Sequence, residues 1–501
     1  MKMARKKKER EILESVCIEQ VAAEGKSLTH IDGKVLFVPQ AIPGDIVDVL
    51  VTRKKSGYME GIILNLVKPS PERIEPFCQH YGDCGGCKWQ PLPYELQLKY
   101  KQQQVVDQLT RIGKLKLPES MPILGSEKNT EYRNKLEFTF SDRRWLQKGE
   151  NPEEVFSAAK TLDPADFEGG RFPRHLRNGY SMVNSIPAGF GLGFHIVGAF
   201  DKVLDISKCH LQAEPSNEIR NFVKAYCIEN GLSFFNLREQ VGMMRTLVVR
   251  SNKAGDIMLT VVFAHEPGKK GIALLDALLA KFPEIKSMHY VVNGKMNDSI
   301  GDLETINYAG EDAIYEEMEG LSFKIGPKSF YQTNSEQAHR LYSVVRDFLD
   351  LSGNERIFDL YTGTGTIALF LARNAKSVVG IEYVPEAIED AKINAANNGI
   401  ENCQFYAGDM KDVLNADFIA AHGGTPDVIV LDPPRAGIHP DVANVILEAK
   451  PAKMVYVSCN PATQARDLAI FSEAYDIVAF RPVDMFPHTH HVENVVSLIR
   501  K

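Results

Sequence analysis

The chain has 501 residues, 44% of them hydrophobic and 25% charged, which at about 150 residues per domain allows roughly three globular domains. This composition excludes a disordered chain, a collagen and a small disulfide scaffold, and no apolar run reaches the roughly 18–20 residues that span a bilayer. The balance of 58 basic and 65 acidic residues, net −7, argues only weakly against a nucleic-acid partner, because a local patch can hold phosphates while another domain is acidic.

The chain opens on Lys2, Arg5, Lys6, Lys7, Lys8 and Arg10 with no apolar segment behind them, so no secretory signal is expected and the cytoplasm is the expected compartment. Further basic residues follow at Arg53, Lys54 and Lys55, and at Arg143, Arg144, Arg171, Arg174 and Arg177. A solvated face and RNA contact are equally good readings of these runs. Short Val-rich segments at 34–38, 45–51 and 61–67, punctuated by Gly and Pro, predict a small OB-like barrel over residues 1–69. Such barrels bind oligonucleotides or serve as structural modules. Residues 70–90 are irregular, with Pro71, Pro76 and Cys78, Cys84 and Cys87. With Cys209 they give four thiolates, the number taken by zinc or by an iron–sulfur cluster. Cys84 and Cys87 also have redox-pair spacing, but no thioredoxin-like βαβ pattern surrounds them. Residues 94–113 are polar and helix-forming, and the helical stretch 94–128 is expected to pack on the C-terminal domain. Residues 70–325 form a central α+β domain with strands at 136–140, 247–250 and 257–263, a helix near 272–281 and a loop-like stretch at 143–185.

From residue 326 the pattern is β-α-β, with apolar strands at 357–361, 377–382, 428–432 and 454–458 and helices at 385–398 and 462–473. This predicts a parallel, doubly wound, Rossmann-like sheet. Phe358-Asp-Leu-Tyr-Thr-Gly-Thr-Gly-Thr366 follows the first of these strands and opens a helix. Gly363 and Gly365 let the backbone turn tightly. Glu382 ends the next strand, where an acid can hydrogen-bond both hydroxyls of a ribose. The loop is not the G-x-G-x-x-G of dinucleotide sites. It resembles the S-adenosylmethionine-dependent methyltransferases, in which a Gly-Asp such as Gly408-Asp409 commonly meets the adenine.

Four polar segments, 329–334, 432–437, 456–463 and 484–493, are expected at strand ends, where open α/β sheets place their ligands. Cys459 ends a strand and precedes Asn460-Pro461 and a helix. The helix N-terminus is expected to lower its thiol pKa and favour a nucleophilic thiolate, although a buried strand cysteine is the commoner fate of a lone thiol. His488, His490 and His491 are read as non-metal, since three neighbours in an extended segment do not converge on one ion.

Ser458-Cys-Asn-Pro461, Asp432-Pro-Pro-Arg-Ala-Gly437 and Met485-Phe-Pro-His-Thr489 with His491 and Glu493 together resemble the RNA 5-methyluridine methyltransferase family over residues 70–501. Tyr132-Arg-Asn-Lys135 and Gly242-Met-Met-Arg245 look like its central motifs, and the barrel looks like its TRAM domain. The resemblance implies methyl transfer from S-adenosylmethionine to C5 of a flipped-out uridine. In that scheme Cys459 adds to C6, Glu493 removes the C5 proton, and Asp432 and Gln332 hold the uracil edge. Gln332, Asp359, Tyr361, Gly363, Gly365, Glu382, Asp409 and Asp432 hold the cofactor, and Cys78, Cys84, Cys87 and Cys209 hold a [4Fe-4S] cluster. Barrel plus cluster implies 23S ribosomal RNA as substrate. Transfer RNA is the alternative, and a non-catalytic RNA-binding iron–sulfur protein is the rival from another class. Two departures stand out: Tyr361-Thr362, where many members carry Phe-Cys, and the long stretch 143–185.

Overall fold

The computed structural model describes residues 11–147, 150 and 189–501. The basic start, most of the 143–185 stretch and Arg171, Arg174 and Arg177 lie outside the described residues. Among the described residues no helix is long and apolar enough to cross a membrane.

The first sheet has six strands: β1 (Ile12–Cys17), β2 (Gln20–Val21), β3 (Lys26–Ile31), β4 (Lys34–Pro39), β5 (Ile46–Lys54) and β6 (Tyr58–Lys68). They run in the order β1-β5-β6-β4-β3-β2. The alternating Val and Leu side chains Val16, Leu36, Val38, Val47, Val49 and Met59 turn to one side and form a small core. Ile42, Trp89 and Leu92 make a second apolar seam where this sheet meets the cysteine-rich loop.

A helix spans Tyr94–Arg111. The helix expected over 94–128 therefore stops 17 residues short of its predicted end (128 − 111 = 17). Gly113, Pro118 and Pro122 explain the stop, since proline lacks the donor a helix needs and glycine loses the most backbone freedom. Residues 121–124 instead run along a C-terminal strand, with Met121 N–H donating to Phe480 O (3.2 Å) and Leu124 N–H to Pro482 O (2.9 Å).

The central sheet holds β7 (Lys135–Ser141), β8 (Gly191–Ile196), β9 (Ala199–Asp205), β10 (Met244–Ser251), β11 (Ile257–Phe263), β12 (Ile285–Val292) and β13 (Thr305–Gly310). Only the β11–β12 pair among these neighbours is parallel. Helices Ser216–Glu229 and Gly268–Lys281 bury Ile219, Val223, Leu274 and Leu278 against it.

A hairpin, β14 (Ile314–Met318) and β15 (Leu321–Ile325), comes next. It precedes the boundary expected at 325/326, yet Ile314, Leu321, Phe323 and Ile325 share a core with the C-terminal sheet. That sheet contains β16 (Arg356–Leu360), β17 (Ser377–Glu382), β18 (Cys403–Ala407), β19 (Val428–Leu431), β20 (Lys453–Ser458), β21 (Tyr475–Val483) and β22 (Glu493–Arg500), in the order β18-β17-β16-β19-β20-β22-β21. The first five strands are parallel, as expected from their apolar runs. The all-parallel expectation fails at β22, which pairs antiparallel with both β20 and β21. A short return from β21, too short for a crossover helix, forces the reversal. Cores lie on both faces of the sheet, and the strand order reverses between β16 and β19.

Candidate active site

One cavity of about 1390 Å³ opens at the carboxyl ends of β16, β17, β19 and β20. That is where the switch in strand order leaves a crevice. Its wall brings together Gln332, Tyr361, Gly363, Glu382, Asp409, Asp432, Cys459 and Glu493.

On one side is the loop after β16. Tyr361 adopts a left-handed backbone (φ 69°) although it is not glycine. Gly363 (φ 56°) faces open space, and its N–H donates to Glu382 Oε2 at 3.1 Å. The other Glu382 oxygen accepts from Val384 N–H at 3.1 Å. Asp409 caps the short helix that follows β18 by accepting from Lys411 N–H. Glycine backbone open to the cavity, two carboxylates and the exposed ring of Tyr383 form a cradle of the size and polarity an adenosyl group needs.

Two expected cofactor contacts do not face the cavity. Asp359 is fully buried beneath the loop and accepts a hydrogen bond from Thr362 Oγ1 at 2.6 Å. Burial and the nearby Glu382 charge push its carboxyl up to about 7. It braces the loop because β16 is covered on both faces and its side chain points inward. Gly365 begins the helix Thr366–Ala372, and a Cβ there would stand 3.0 Å from Ala391 and 3.2 Å from Phe405. It is glycine for close helix packing.

On the other side are Cys459 and Glu493. The β20–β22 register pairs Ser458 with Asn494, so the next residues outward, Cys459 and Glu493, face each other across neighbouring strands. Glu493 is 7% exposed. Burial, reinforced by the Asp432 carboxylate, pushes its carboxyl up to about 8, with Arg435 pulling the other way. Asp432 is pushed up to about 7 by burial and by Asp359. The Cys459 thiol goes up to about 11, where a lowered value was expected. Burial raises it most, then the charges of Glu493 and Asp432, and these outweigh Arg435 and the start of the Pro461–Phe471 helix. At that value the sulfur carries its proton near neutral pH.

Gln332 lies in the 326–334 loop between β15 and the Ser335–Leu349 helix, not at a strand end, and still reaches the cavity. Arg133, Tyr342, Arg435, Phe486 and His491 also line it, and of these only Tyr342 lies outside the motifs quoted from the sequence. Arg435 stood inside a quoted motif. Arg133, whose guanidinium lies 5.6 Å from the Phe486 ring centroid, stands inside the Tyr132–Lys135 motif. His488 Nδ1 lies 3.2 Å from Gln97 Nε2, His491 lines the cavity, and burial pushes the rings of His488, His490 and His491 toward the neutral form.

The four thiols of Cys78, Cys84, Cys87 and Cys209 lie close enough to feel one another's charge. Burial raises all four, Cys84 to about 11 and Cys87 to about 12. Among the described residues no three Cys, His, Asp or Glu groups converge tightly enough to hold one metal ion. The donor set is all sulfur.

Residues 303–501 match the tRNA (uracil-5-)-methyltransferase family model, and residues 6–64 match the TRAM domain. An uncharacterised RNA methyltransferase of Porphyromonas gingivalis is 54% identical over 487 residues, covering 96% of this chain and 99% of its own. One from Chlorobaculum tepidum is 35% identical over 462 residues, covering 91% and 90%. Among solved structures, the Pyrococcus abyssi tRNA (uracil-54, C5)-methyltransferase in complex with S-adenosyl-L-homocysteine is 27% identical. It aligns with a TM-score of 0.69 over 97% of this chain and 100% of that one.

Proposed function

The chain belongs to the tRNA (uracil-5-)-methyltransferase family and is an S-adenosylmethionine-dependent RNA methyltransferase acting on uracil C5; from that premise we propose that Cys459 and Glu493 carry the reaction. The observation that supports this most is the juxtaposition of the Cys459 thiol, just past the end of β20, with the Glu493 carboxyl at the start of β22, on the wall of the cavity that also holds the Gly363–Glu382 loop.

Uracil C5 is a poor nucleophile. Cys459 Sγ, having given its proton to water, adds as thiolate to C6, and the electron pair of the C5–C6 double bond moves into the ring as an enolate. When bound, S-adenosylmethionine would supply an electrophilic methyl group to C5 and leave as S-adenosylhomocysteine. Glu493, as carboxylate, then takes the C5 proton. The C–H electron pair rebuilds the double bond as the C6–S bond breaks, and its pair returns to sulfur. Asp432 and Gln332 hold the uracil edge. Tyr361, Gly363, Glu382 and Asp409, with Gln332 and Asp432, hold the methyl donor, while Asp359 and Gly365 shape its loop. A base buried in a stack exposes neither C5 nor C6, so the uridine enters flipped out.

We assign Cys78, Cys84, Cys87 and Cys209 to a [4Fe-4S] cluster on the family resemblance, because four sulfur donors alone suit zinc equally. Such a cluster would tie the 78–87 loop to Cys209 across the central domain. The division of labour that fits is RNA contact by residues 1–69, a cluster-bearing central part at 70–325 and chemistry at 326–501, acting in the cytoplasm. Barrel and cluster together favour 23S ribosomal RNA. The tRNA substrate of the Pyrococcus abyssi neighbour favours transfer RNA. Nucleoside mass mapping of both RNA pools from a strain lacking the gene decides between them. Loss of 5-methyluridine from 23S RNA alone supports the first, loss from tRNA alone the second, and no loss from either refutes the reading.

A further inference from the structure

Glu493 is reached through a strap, residues 484–492, that joins β21 to β22. Four successive carbonyls of this strap are held from outside. Asn334 Nδ2 donates to Met485 O at 2.9 Å, Lys101 Nζ to Phe486 O at 3.1 Å and Tyr132 Oη to Pro487 O at 3.0 Å. Both Lys88 and Trp89 N–H donate to His488 O, at 2.8 and 3.0 Å. His488 sits at φ 64°, a conformation a non-glycine residue keeps only when its surroundings impose it.

The anchor of the strap is an ion pair with no solvent contact. Lys101 Nζ lies 2.6 Å from Asp484 Oδ1, and both side chains are 0% exposed. The Asp484 carboxylate also accepts from Tyr94 Oη (2.9 Å) and from Phe486 N–H (3.1 Å). Lys101 stands 5.8 Å from the Trp89 ring centroid. A buried ion pair is weak evidence for stability, because desolvation takes back most of the attraction. What this pair does supply is a fixed geometry: one ammonium ties the first strap residue to the third, two strands away from the nucleophile.

We propose that Lys101 is a positioning residue for the proton-removal step: with Asp484 it fixes the strap that keeps Glu493 opposite Cys459. This rests on the Cys459–Glu493 reading above. Lys101 touches neither wall of the cavity, so it acts only through the strap. Carbon–sulfur bond formation and methyl transfer use the Cys459 side of the site, whereas release of the product needs the carboxylate in place. A loosened strap therefore slows the last step selectively, and the methylated covalent adduct builds up.

The test uses the full chain with unmodified uridine-containing RNA and S-adenosylmethionine, reading both turnover and denaturant-stable protein–RNA adduct. Lys101→Met should lower turnover by about 10²-fold, the usual consequence of a displacement near 1 Å, while adduct accumulates above the wild-type level. Lys101→Met leaves Asp484 unpaired and can prevent folding, so Lys101→Met/Asp484→Asn is made beside it. That double variant keeps an acceptor oxygen for Phe486 N–H and turns an amide N–H toward Tyr94 Oη, with no unpaired charge, and should also accumulate adduct, with faster hydrogen exchange at strap amides. Wild-type turnover in a folded variant, or turnover and adduct falling together, overturns the proposal. A separate reaction with 5-fluorouridine RNA reports on the underlying reading: if wild type forms no adduct there, the Cys459 assignment itself has failed.

Discussion

The half-buried thiol of Cys459 and the half-buried thiols of Cys84 and Cys87 live under different electrostatics. Cys459 is raised by burial and by two neighbouring carboxyls, Glu493 and Asp432, with one cation, Arg435, opposing them. Cys84 and Cys87 are raised by burial and by other thiols of their own group. The first arrangement sets a thiol beside two carboxyl groups, Glu493 and Asp432, whose values of about 8 and about 7 let them exchange protons near neutral pH. The second gathers like groups that a cationic centre would relieve together. Cysteine burial alone does not separate a reactive thiol from a ligand; the identity of the neighbours does.

The comparison breaks most visibly at Cys459. Cys459→Ala should lower 5-methyluridine formation by at least about 10⁴-fold, as removal of an enzyme nucleophile generally does, with little change in melting temperature. Measured 5-methyluridine within tenfold of wild type would erase the distinction between the two groups. Cys87→Ala should do the reverse: iron and sulfide content falls, the melting temperature drops by several degrees, and turnover falls less than for Cys459→Ala. A variant with unchanged metal content and stability would remove the four thiols from any structural role.

The next effect is one of stability. Glu493 has a folded-state value of about 8 against an ordinary 4.5. The folded chain therefore holds this proton more tightly than the unfolded chain. Its contribution to stability is full below about 4.5 and is lost as pH rises to about 8. Glu493→Gln, which cannot ionise, should gain melting temperature over wild type as pH is raised from 5 to about 8 and hold that gain above it, while losing product release. An equal melting temperature at pH 5 and 9 relative to wild type would contradict the buried-carboxyl account.

A smaller effect concerns rate. Both groups must lose protons before reaction, so kcat/KM should climb through pH 8 and continue upward toward the Cys459 value of about 11. Arg435→Met removes the one cation that favours thiolate and should push this profile further alkaline. A profile falling above pH 7 would mean the reacting groups carry other protonation states.

The C-terminal strands were legible because each is a short apolar run covered on both faces, and the cavity residues sit where those runs end. The reversal of β22 was not legible, since Glu493–Arg500 is as apolar as a parallel strand. The pKa of Cys459 was misjudged for a related reason. The helix start beside it is local and visible in sequence, whereas Glu493 and Asp432 arrive from elsewhere in the chain. Lys101 lies 383 residues from its partner. Its signal was the stripe Tyr94, Gln97, Lys101, Val105 and Leu109, one helical face on which polar members are buried with apolar ones.

The most direct measurement is peptide mass mapping of the wild-type enzyme after reaction with 5-fluorouridine RNA and S-adenosylmethionine. Fluorine at C5 cannot leave as a proton does, so the adduct stays. The account predicts one methylated fluorouridine nucleotide on the peptide containing Cys459. The same adduct on another cysteine, or in a Cys459→Ala variant, would contradict it.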